Sequence, residues 1–226
     1  ALAATLLATT AAQAIVGPGV FRAYLASDGS DANPCSLAQP CRLLPAALAA
    51  IVDGGEIWML DSANYNTATV TIGKSASILA VPGAVGSVLA IGGPAISITA
   101  AGLKVSLRNL VIGPLPSSSA SNGVNMSGAS TLTIEQSLIA NLPGDGVSVT
   151  GTGKLRIANT ILRNNGNYAV WLQNGPQAEI SGSQMLGNTV GGVIAFGSAA
   201  PTTTTVTVSD SVISGGAEGV FAYADI

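Results

Sequence analysis

The sequence predicts an all-β protein built as a parallel β-solenoid, and three observations support this fold class. Short apolar strands recur with a period of 23 residues, glycine accounts for 28 of 226 residues, and only 8% of the residues are charged. An average soluble domain carries about 25% charged residues, and long amphipathic helices need such residues on their outer surfaces. The length suits one elongated domain.

The composition also limits the partners that the protein can have. Its eight Lys and Arg residues are scattered and its net charge is −3, so no nucleic-acid-binding surface is predicted. No apolar run reaches the roughly 18 residues that a membrane span needs, so no span is predicted either. Nothing in the sequence fixes the oligomeric state.

Residues 1–14 form an apolar stretch that ends in Ala12-Gln13-Ala14, a pattern typical of a signal-peptide cleavage site. We interpret this stretch as the remnant of a secretory signal peptide, with a mature chain that begins near Ile15. This interpretation predicts secretion to the extracellular space, the cell surface or the periplasm. A short N-terminal helix is the alternative.

Cys35 and Cys41 are the only cysteines, and the chain contains no histidine. A zinc site needs more ligands than these two thiols, so the sequence predicts neither a metal site nor an organic cofactor. In an oxidising compartment the pair predicts a disulfide. The bridge would close a loop of seven residues and stabilise the fold by roughly 2 kcal/mol.

The repeat extends from Lys104 to the end of the chain. Its first strand carries two apolar residues one position apart: Val105 and Leu107, Leu132 and Ile134, Leu155 and Ile157, Ala178 and Ile180, Val206 and Val208. Two positions later come Asn109, Gln136, Asn159, Gly182 and Asp210, each followed by a pair such as Val111-Ile112 or Leu138-Ile139. A further strand begins with Val124, Val147, Val170, Val193 and Val220. These valines are 23, 23, 23 and 27 residues apart, and extra residues fall in the insertions SSSASN and AAPTTT.

A 23-residue unit with short strands and Gly or Asn corners is one coil of a parallel solenoid. Coils stacked at about 4.8 Å pair their backbones and bury a continuous apolar column. Less regular coils upstream have strand cores at Ile57 and Met59, Val70 and Ile72, and Ile96 and Ile98. The polar column that begins with Asn109 predicts a bend. Either its side-chain amides bond along the column, or asparagine is present for its turn preference.

Residues 21–65 resemble the N-terminal segment of bacterial secreted right-handed parallel β-helix proteins of the pectate-lyase-like group. The shared features are a strand, a G-S-D-x-N-P turn, a Pro-x-Arg turn, a short Ala/Leu helix, a Gly-Gly pair and a strand before a tyrosine, here at 24–26, 29–34, 40–42, 43–51, 54–55 and 56–65. The resemblance implies a single-stranded right-handed parallel β-helix with a short N-terminal capping helix.

This resemblance and the repeat divide the chain into three parts. Residues 1–14 are the signal remnant, and residues 15–54 hold the N-terminal strand, the disulfide loop and the capping helix. Residues 55–226 form the β-helix coils. We expect these coils to be truncated at the C-terminus, because the sequence stops in mid-strand at Tyr223-Ala-Asp-Ile226.

The resemblance also implies an alternative function, since enzymatic relatives are polysaccharide lyases and glycoside hydrolases. Such lyases use Asp/Glu clusters to bind calcium and an Arg or Lys as base, and hydrolases need two carboxylates about 5 to 9 Å apart. The eleven Asp and Glu residues do not converge in the predicted register. Arg108 and Arg156 are weak candidates for a base, calcium enters only with this alternative, and no catalytic residue is assigned.

The same register gives these arginines an ordinary structural role. It places Arg108 one coil from Glu135 and Arg156 one coil from Glu179, as surface ion pairs worth about 0 to 1 kcal/mol each. Asp28 and Asp31 fall in the N-terminal turn, where Asp commonly caps its own backbone.

One outer face changes from polar to aromatic towards the C-terminus. If the repeated valines point inward, the residues after them point outward, and they read Asn125, Ser148, Trp171, Ile194 and Phe221. The next outward column reads Ser127, Thr150, Gln173, Phe196 and Tyr223. Three interpretations stay open for this face: a glycan platform, a protein interface, or a surface covered by a missing C-terminal segment.

The predicted function is therefore a secreted or surface β-helix that binds glycan or another protein, or has a structural role, without catalysis. Its candidate ligand-binding residues are Trp171, Phe196, Phe221 and Tyr223, and its candidate partners are a polysaccharide or a cell-surface protein. A polysaccharide lyase or glycoside hydrolase is the alternative.

Overall fold

The computed structural model describes residues 19–197 and 202–224, and the predictions for 1–14 and for the chain end at 225–226 lie outside them. The described chain forms three parallel sheets and one helix, α1 (Leu44–Ala50). Sheet 1 contains β1 (Val20–Leu25), β2 (Ile51–Met59), β5 (Ala76–Ala80), β8 (Lys104–Arg108), β11 (Thr131–Glu135), β14 (Lys154–Ala158), β17 (Gln177–Ser181) and β20 (Thr205–Ser209).

The other two sheets have seven strands each, so most coils contribute one strand to every sheet. Sheet 2 contains β3 (Ala63–Asn64), β6 (Gly86–Ala90), β9 (Leu110–Pro114), β12 (Leu138–Ala140), β15 (Ile161–Arg163), β18 (Gln184–Leu186) and β21 (Val212–Ser214). Sheet 3 contains β4 (Val70–Thr71), β7 (Ile96–Ile98), β10 (Val124–Met126), β13 (Val147–Thr150), β16 (Tyr168–Gln173), β19 (Gly191–Gly197) and β22 (Glu218–Ala224). The predicted parallel solenoid is confirmed.

The predicted register is confirmed as well. Leu132 pairs with Leu155 and Leu155 pairs with Ala178, so 23 residues separate equivalent positions of adjacent coils. These side chains are buried, and the repeated valines of sheet 3 are buried from Val124 to Val193. Val220 is 52% exposed, because β22 pairs on one side only among the described strands.

The polar column at the bend between sheets 1 and 2 has left-handed backbone throughout. Asn109, Gln136, Asn159 and Asp210 have φ between 48° and 55°, and Gly182 has φ of 56°. The Asn109 amide donates to the carbonyls of Ala80 and Val81, and no side-chain hydrogen bond links members of the column within the described residues. The structure therefore favours turn preference, because Asn tolerates this backbone region better than other non-glycine residues.

Polar ladders do run along the solenoid, but inside it. The side chains of Ser137, Thr160 and Ser183 are buried, and each accepts a hydrogen bond from a backbone N–H one coil before it. Each hydroxyl donates to the carbonyl two residues earlier. Asn165 and Asn188 form a second buried ladder, in which the Asn165 amide donates to Asn188 Oδ1 at 2.9 Å.

The N-terminal segment packs against the first coils. Helix α1 is one residue shorter at each end than predicted, because Ile51 leaves the helix with an extended backbone and begins β2. The Cys35–Cys41 disulfide forms as predicted. Asp31 does not cap its own turn, since its Oδ1 accepts from the N–H groups of Arg42 and Leu43, at 2.9 and 2.8 Å, just before the helix.

Candidate functional site

The aromatic residues at the C-terminal end of sheet 3 form one connected surface. Register pairs Trp171 with Ile194 and then Phe221, and it pairs Phe196 with Tyr223. Ring centroids are 5.7 Å apart for Tyr168 and Trp171, 6.2 Å for Trp171 and Phe196, and 5.3 Å for Phe196 and Tyr223. We call this set the aromatic ribbon: Tyr168, Trp171, Phe196, Phe221 and Tyr223.

Ring orientation decides which parts of the ribbon can contact a ligand. Phe196 and Tyr223 stack with an angle of 9° between their planes, so each covers one face of the other. Phe221 and Tyr223 are two residues apart on β22, with centroids 6.4 Å apart and planes within 12°. Their separation follows the strand, so the two rings lie side by side. They are also the most exposed members whose exposure is given, at 39% and 47%.

The inner members of the ribbon serve a partly structural purpose. Trp171 and Phe196 are half-buried, and Ile194, which lies in the same outward column as Trp171, is only 6% exposed. The indole N–H of Trp171 donates to Gln173 Oε1 at 3.4 Å. An outward position is therefore not always an exposed one here, because neighbouring aromatic rings shield the smaller side chain between them.

A polar contact that the sequence analysis missed fixes the buried edge of the ribbon. Tyr168 extends across the next coil, and its hydroxyl donates to Glu218 Oε2 at 2.6 Å. Register places Gly191 between these two residues, and a Cβ at Gly191 would lie 3.0 Å from the tyrosine ring. Burial and the bond to Glu218 raise the pKa of Tyr168 to about 12. The only signal in the sequence was a glycine at a position where other coils carry side chains.

A buried carboxylate, Asp145, adjoins this edge. Asp145 is 7% exposed, and its Oδ1 accepts hydrogen bonds from the Asn167 side chain at 2.7 Å and the Tyr168 N–H at 3.1 Å. Burial raises its pKa to about 6, although the two hydrogen bonds act in the opposite direction. Asp145 thus titrates closer to neutral pH than an ordinary aspartate.

The two candidate base residues lie on another face, on sheet 1. Arg108 and Arg156 both bind Glu135, each with an N–O distance of 3.0 Å. The predicted pair of Arg108 with Glu135 is confirmed, whereas the predicted pair of Arg156 with Glu179 is wrong. Arg156 and Glu179 are register partners, but among the described residues Arg156 forms its ion pair with Glu135 instead. Both arginines are engaged as cations, which does not suit a base.

Comparison with known proteins assigns the family. Residues 95–225, more than half of the chain, match the family described as "Right handed beta helix region". The chain belongs to this right-handed β-helix family. The resemblance noted in the sequence is thereby confirmed for the family and for the hand of the coil.

Two solved structures are similar to this right-handed β-helix at low sequence identity. One is the pectate lyase Pel9A, at 14% identity and a TM-score of 0.39, with 89% of this chain and 80% of that chain covered. The other is a rhamnogalacturonan lyase, at 11% identity and a TM-score of 0.40, with 83% and 72% covered. No curated protein matches the chain. The family assignment therefore rests on the sequence match.

Two further searches of the β-helix concern metals and membranes. Within residues 19–197 and 202–224, no three Asp, Glu, Cys or His side chains lie close enough together to hold a metal ion. The same ranges contain no helix that is long and apolar enough to cross a bilayer.

Proposed function

We propose that this β-helix is a secreted carbohydrate-binding module that holds a polysaccharide on the aromatic ribbon without cleaving it. The observation that carries the proposal is the unbroken series of ring contacts from Tyr168 to Phe221. The series ends in two exposed rings, Phe221 and Tyr223, that lie side by side.

The chemistry of this surface suits a sugar. The C–H face of a pyranose ring is apolar and slightly positive, so it packs well on the negative face of an aromatic ring. The Phe196 ring supports Tyr223 from behind, which limits its rotation and lowers the entropic cost of binding. Gln173 and Glu218 lie beside the rings and offer polar atoms to sugar hydroxyls.

The absence of turnover in this proposal is supported by the positions of the charged residues. Arg108 and Arg156 are bound to Glu135 on sheet 1, whereas the aromatic ribbon lies on sheet 3. The carboxylates beside the ribbon are also engaged, since Glu218 accepts from Tyr168 and Asp145 accepts from Asn167. Neither organic cofactor nor calcium is part of this proposal.

Two structural features support the secreted and capped parts of the proposal. The Cys35–Cys41 disulfide suits an oxidising compartment outside the cytoplasm. Helix α1 packs against β1, β2 and β4 and buries Leu44, Ala47 and Leu48. We assign α1 the role of an N-terminal cap, because a solenoid must cover the apolar end of its first coil.

The experiment that tests the function combines binding and depolymerisation. Affinity for cellulose, xylan, mannan and polygalacturonate is measured by affinity electrophoresis, with and without calcium, for the wild type and for Phe221→Ala, Tyr223→Ala and Trp171→Ala. We expect one of these polysaccharides to bind and each variant to weaken binding about tenfold. Trp171→Ala should still fold, because its side chain lies on the outer face.

Phe21→Ala is the matched control, since Phe21 is an aromatic residue on β1 with 59% exposure and lies outside the ribbon. It should bind like the wild type. Release of unsaturated or reducing ends would contradict the non-catalytic role. Equal losses in the Phe21 and Tyr223 variants, or no binding to any of the four polysaccharides, would contradict the ribbon as a glycan site.

A further inference from the structure

A second surface feature lies on the outer face of sheet 1, away from the ribbon. A shallow groove of ≈ 670 Å³ runs over the strands from Asp53 to Thr133. A second section of ≈ 410 Å³ continues to Thr207 and shares Thr131 and Thr133 with the first. Because sheet 1 stacks one coil on the next, the joined groove follows the solenoid axis. An extended polymer would fit this shape better than a compact ligand.

Positive charge is concentrated on this face. The whole chain has eight Lys and Arg residues and a net charge of −3, yet four of these cations lie on β8 and β14, on either side of β11. They are Lys104, Arg108, Lys154 and Arg156. Three carboxylates share the face: Glu135 between the arginines, Glu179 one coil beyond Arg156, and Asp53, which accepts from the Ser75 N–H.

The two lysines are the cations that stay available. Register places Lys104 and Lys154 directly on either side of Thr131, in one outward column. Two coil spacings, about 9.6 Å, separate their backbones, and their flexible stems can bring both ammonium groups over the Thr131 hydroxyl. No ion pair involves either lysine in the described part of the chain, where Glu135 binds the arginines instead.

This arrangement selects a class of anion. An ammonium is a compact point charge with three donors that suits a tetrahedral oxyanion, whereas a planar carboxylate is matched best by the guanidinium fork. Here Glu135 already occupies both guanidinium groups. Two ammonium groups and the Thr131 hydroxyl approach a common point from three sides, as the oxygens of a sulfate or phosphate ester require.

We propose that the groove on sheet 1 binds the sulfate or phosphate ester groups of a linear polysaccharide, with Lys104 and Lys154 as its anion-binding residues. The hydroxyl groups of Ser77, Ser106, Thr133 and Thr207 line the same groove and provide partners for sugar hydroxyls along the chain. This site is independent of the aromatic ribbon, because the two lie on different sheets.

The test measures binding to dextran sulfate, sodium polyphosphate, polygalacturonate, neutral dextran and a single-stranded DNA at low salt. We expect the wild type to bind dextran sulfate or polyphosphate more tightly than polygalacturonate and DNA, and not to bind dextran. The tighter of the first two identifies the ester. The double variant Lys104→Gln/Lys154→Gln should lose at least tenfold in affinity, and Lys154→Gln alone about threefold.

Arg163→Gln is the control for net charge, because Arg163 is an exposed cation on β15 of sheet 2. It should bind like the wild type, and Tyr223→Ala should leave this binding unchanged. Glutamine is compatible with the fold at these positions, since Gln177 is the register partner of Lys154. Unchanged affinity in the double variant, an equal loss in Arg163→Gln, or equal binding of polygalacturonate or DNA would each overturn the proposal.

Discussion

At the scale of single residues, Asp145 makes the stability of this protein depend on pH. Its carboxyl group is buried within the solenoid, and burial raises its pKa from 3.8 to about 6. A pKa above the unfolded value means that the folded state favours the protonated form. The resulting stabilisation is fully present below about pH 4 and is lost as the pH rises through 6.

We predict that the free energy of unfolding falls by up to about 3 kcal/mol between pH 4 and pH 7 because of this group. Asp145→Asn should remove that dependence and stabilise the protein at pH 7. The amide is compatible with the site, because Asn122 occupies the equivalent position one coil earlier and its Oδ1 accepts from the Asp145 N–H at 2.8 Å. Urea denaturation at pH 4, 5, 6 and 7 measures the effect.

Glu218→Gln serves as the comparison for this titration. Glu218 accepts the Tyr168 hydroxyl, so the variant changes a neighbouring carboxylate while Asp145 keeps its burial and its two hydrogen bonds. The stability of this variant should still fall as the pH rises through 6. A wild-type protein equally stable at pH 4 and pH 7, or an Asp145→Asn variant with an unchanged pH profile, would refute the prediction.

The ion pairs show what the sequence can and cannot predict at this scale. The 23-residue period correctly predicts which residues are register partners, including Arg156 and Glu179. It does not predict the choice that Arg156 makes between two carboxylates one coil away. A long side chain can reach the adjacent column, and Arg156 binds Glu135 there. Register follows from backbone stacking, whereas pairing depends on rotamers.

At the scale of the elements, the polar residues of the turns fall into two groups that look alike in the sequence. Asn159 has a left-handed backbone with φ of 49° and shapes the bend. Asn165 is fully buried and connects three coils, since its Oδ1 accepts from the Leu142 N–H at 3.2 Å and its amide donates to Asn188 Oδ1 at 2.9 Å. Both asparagines recur in the repeat, and only the direction of the side chain separates them.

We predict that Asn165→Ala lowers the free energy of unfolding by about 2 to 4 kcal/mol, because it leaves buried donors and acceptors unpaired. The lost contacts include the Leu142 N–H and the bond to Asn188. Asn159→Gly is the matched control. It also removes an amide, but glycine suits a positive φ and Gly182 already occupies the equivalent corner one coil later. Its stability should stay within about 0.5 kcal/mol of the wild type. Similar losses in the two variants by urea denaturation would disprove the distinction.

At the scale of the whole molecule, most of the fold follows from the repeat, because backbone pairing and core burial both require equivalent residues at a fixed separation. The coils from β8 onwards repeat their apolar positions and were predicted. Strands β5 and β6 were missed, because Ala76 and Gly86 replace larger side chains in their patterns. In the candidate site, the outward columns were predictable from alternation. The stacking of Phe196 on Tyr223 and the contact of Tyr168 with Glu218 depend on side-chain orientation between coils.

The modular register leads to a prediction about chain length. Removing residues 154–176 deletes 23 residues, so Gln177 takes the place of Lys154 against Thr131. The buried ladder is preserved, since Ser183 then stands where Thr160 accepts from the Ser137 N–H. Because each coil contacts only its neighbours, we expect the shortened protein to fold as a β-helix and to unfold cooperatively. Circular dichroism and thermal melting test this.

Removing residues 154–175 is the control, because it deletes 22 residues and shifts every later strand by one position. A one-residue slip exchanges the two faces of a strand, so Ala178 and Ile180, which are buried, would point to solvent while Glu179 would enter the core. We expect this variant not to fold. Equal stability of the two deletions would mean that the fixed 23-residue separation does not determine which residues form the core. A shortened protein that folds only with the in-register deletion would show that a single coil is the unit of this structure.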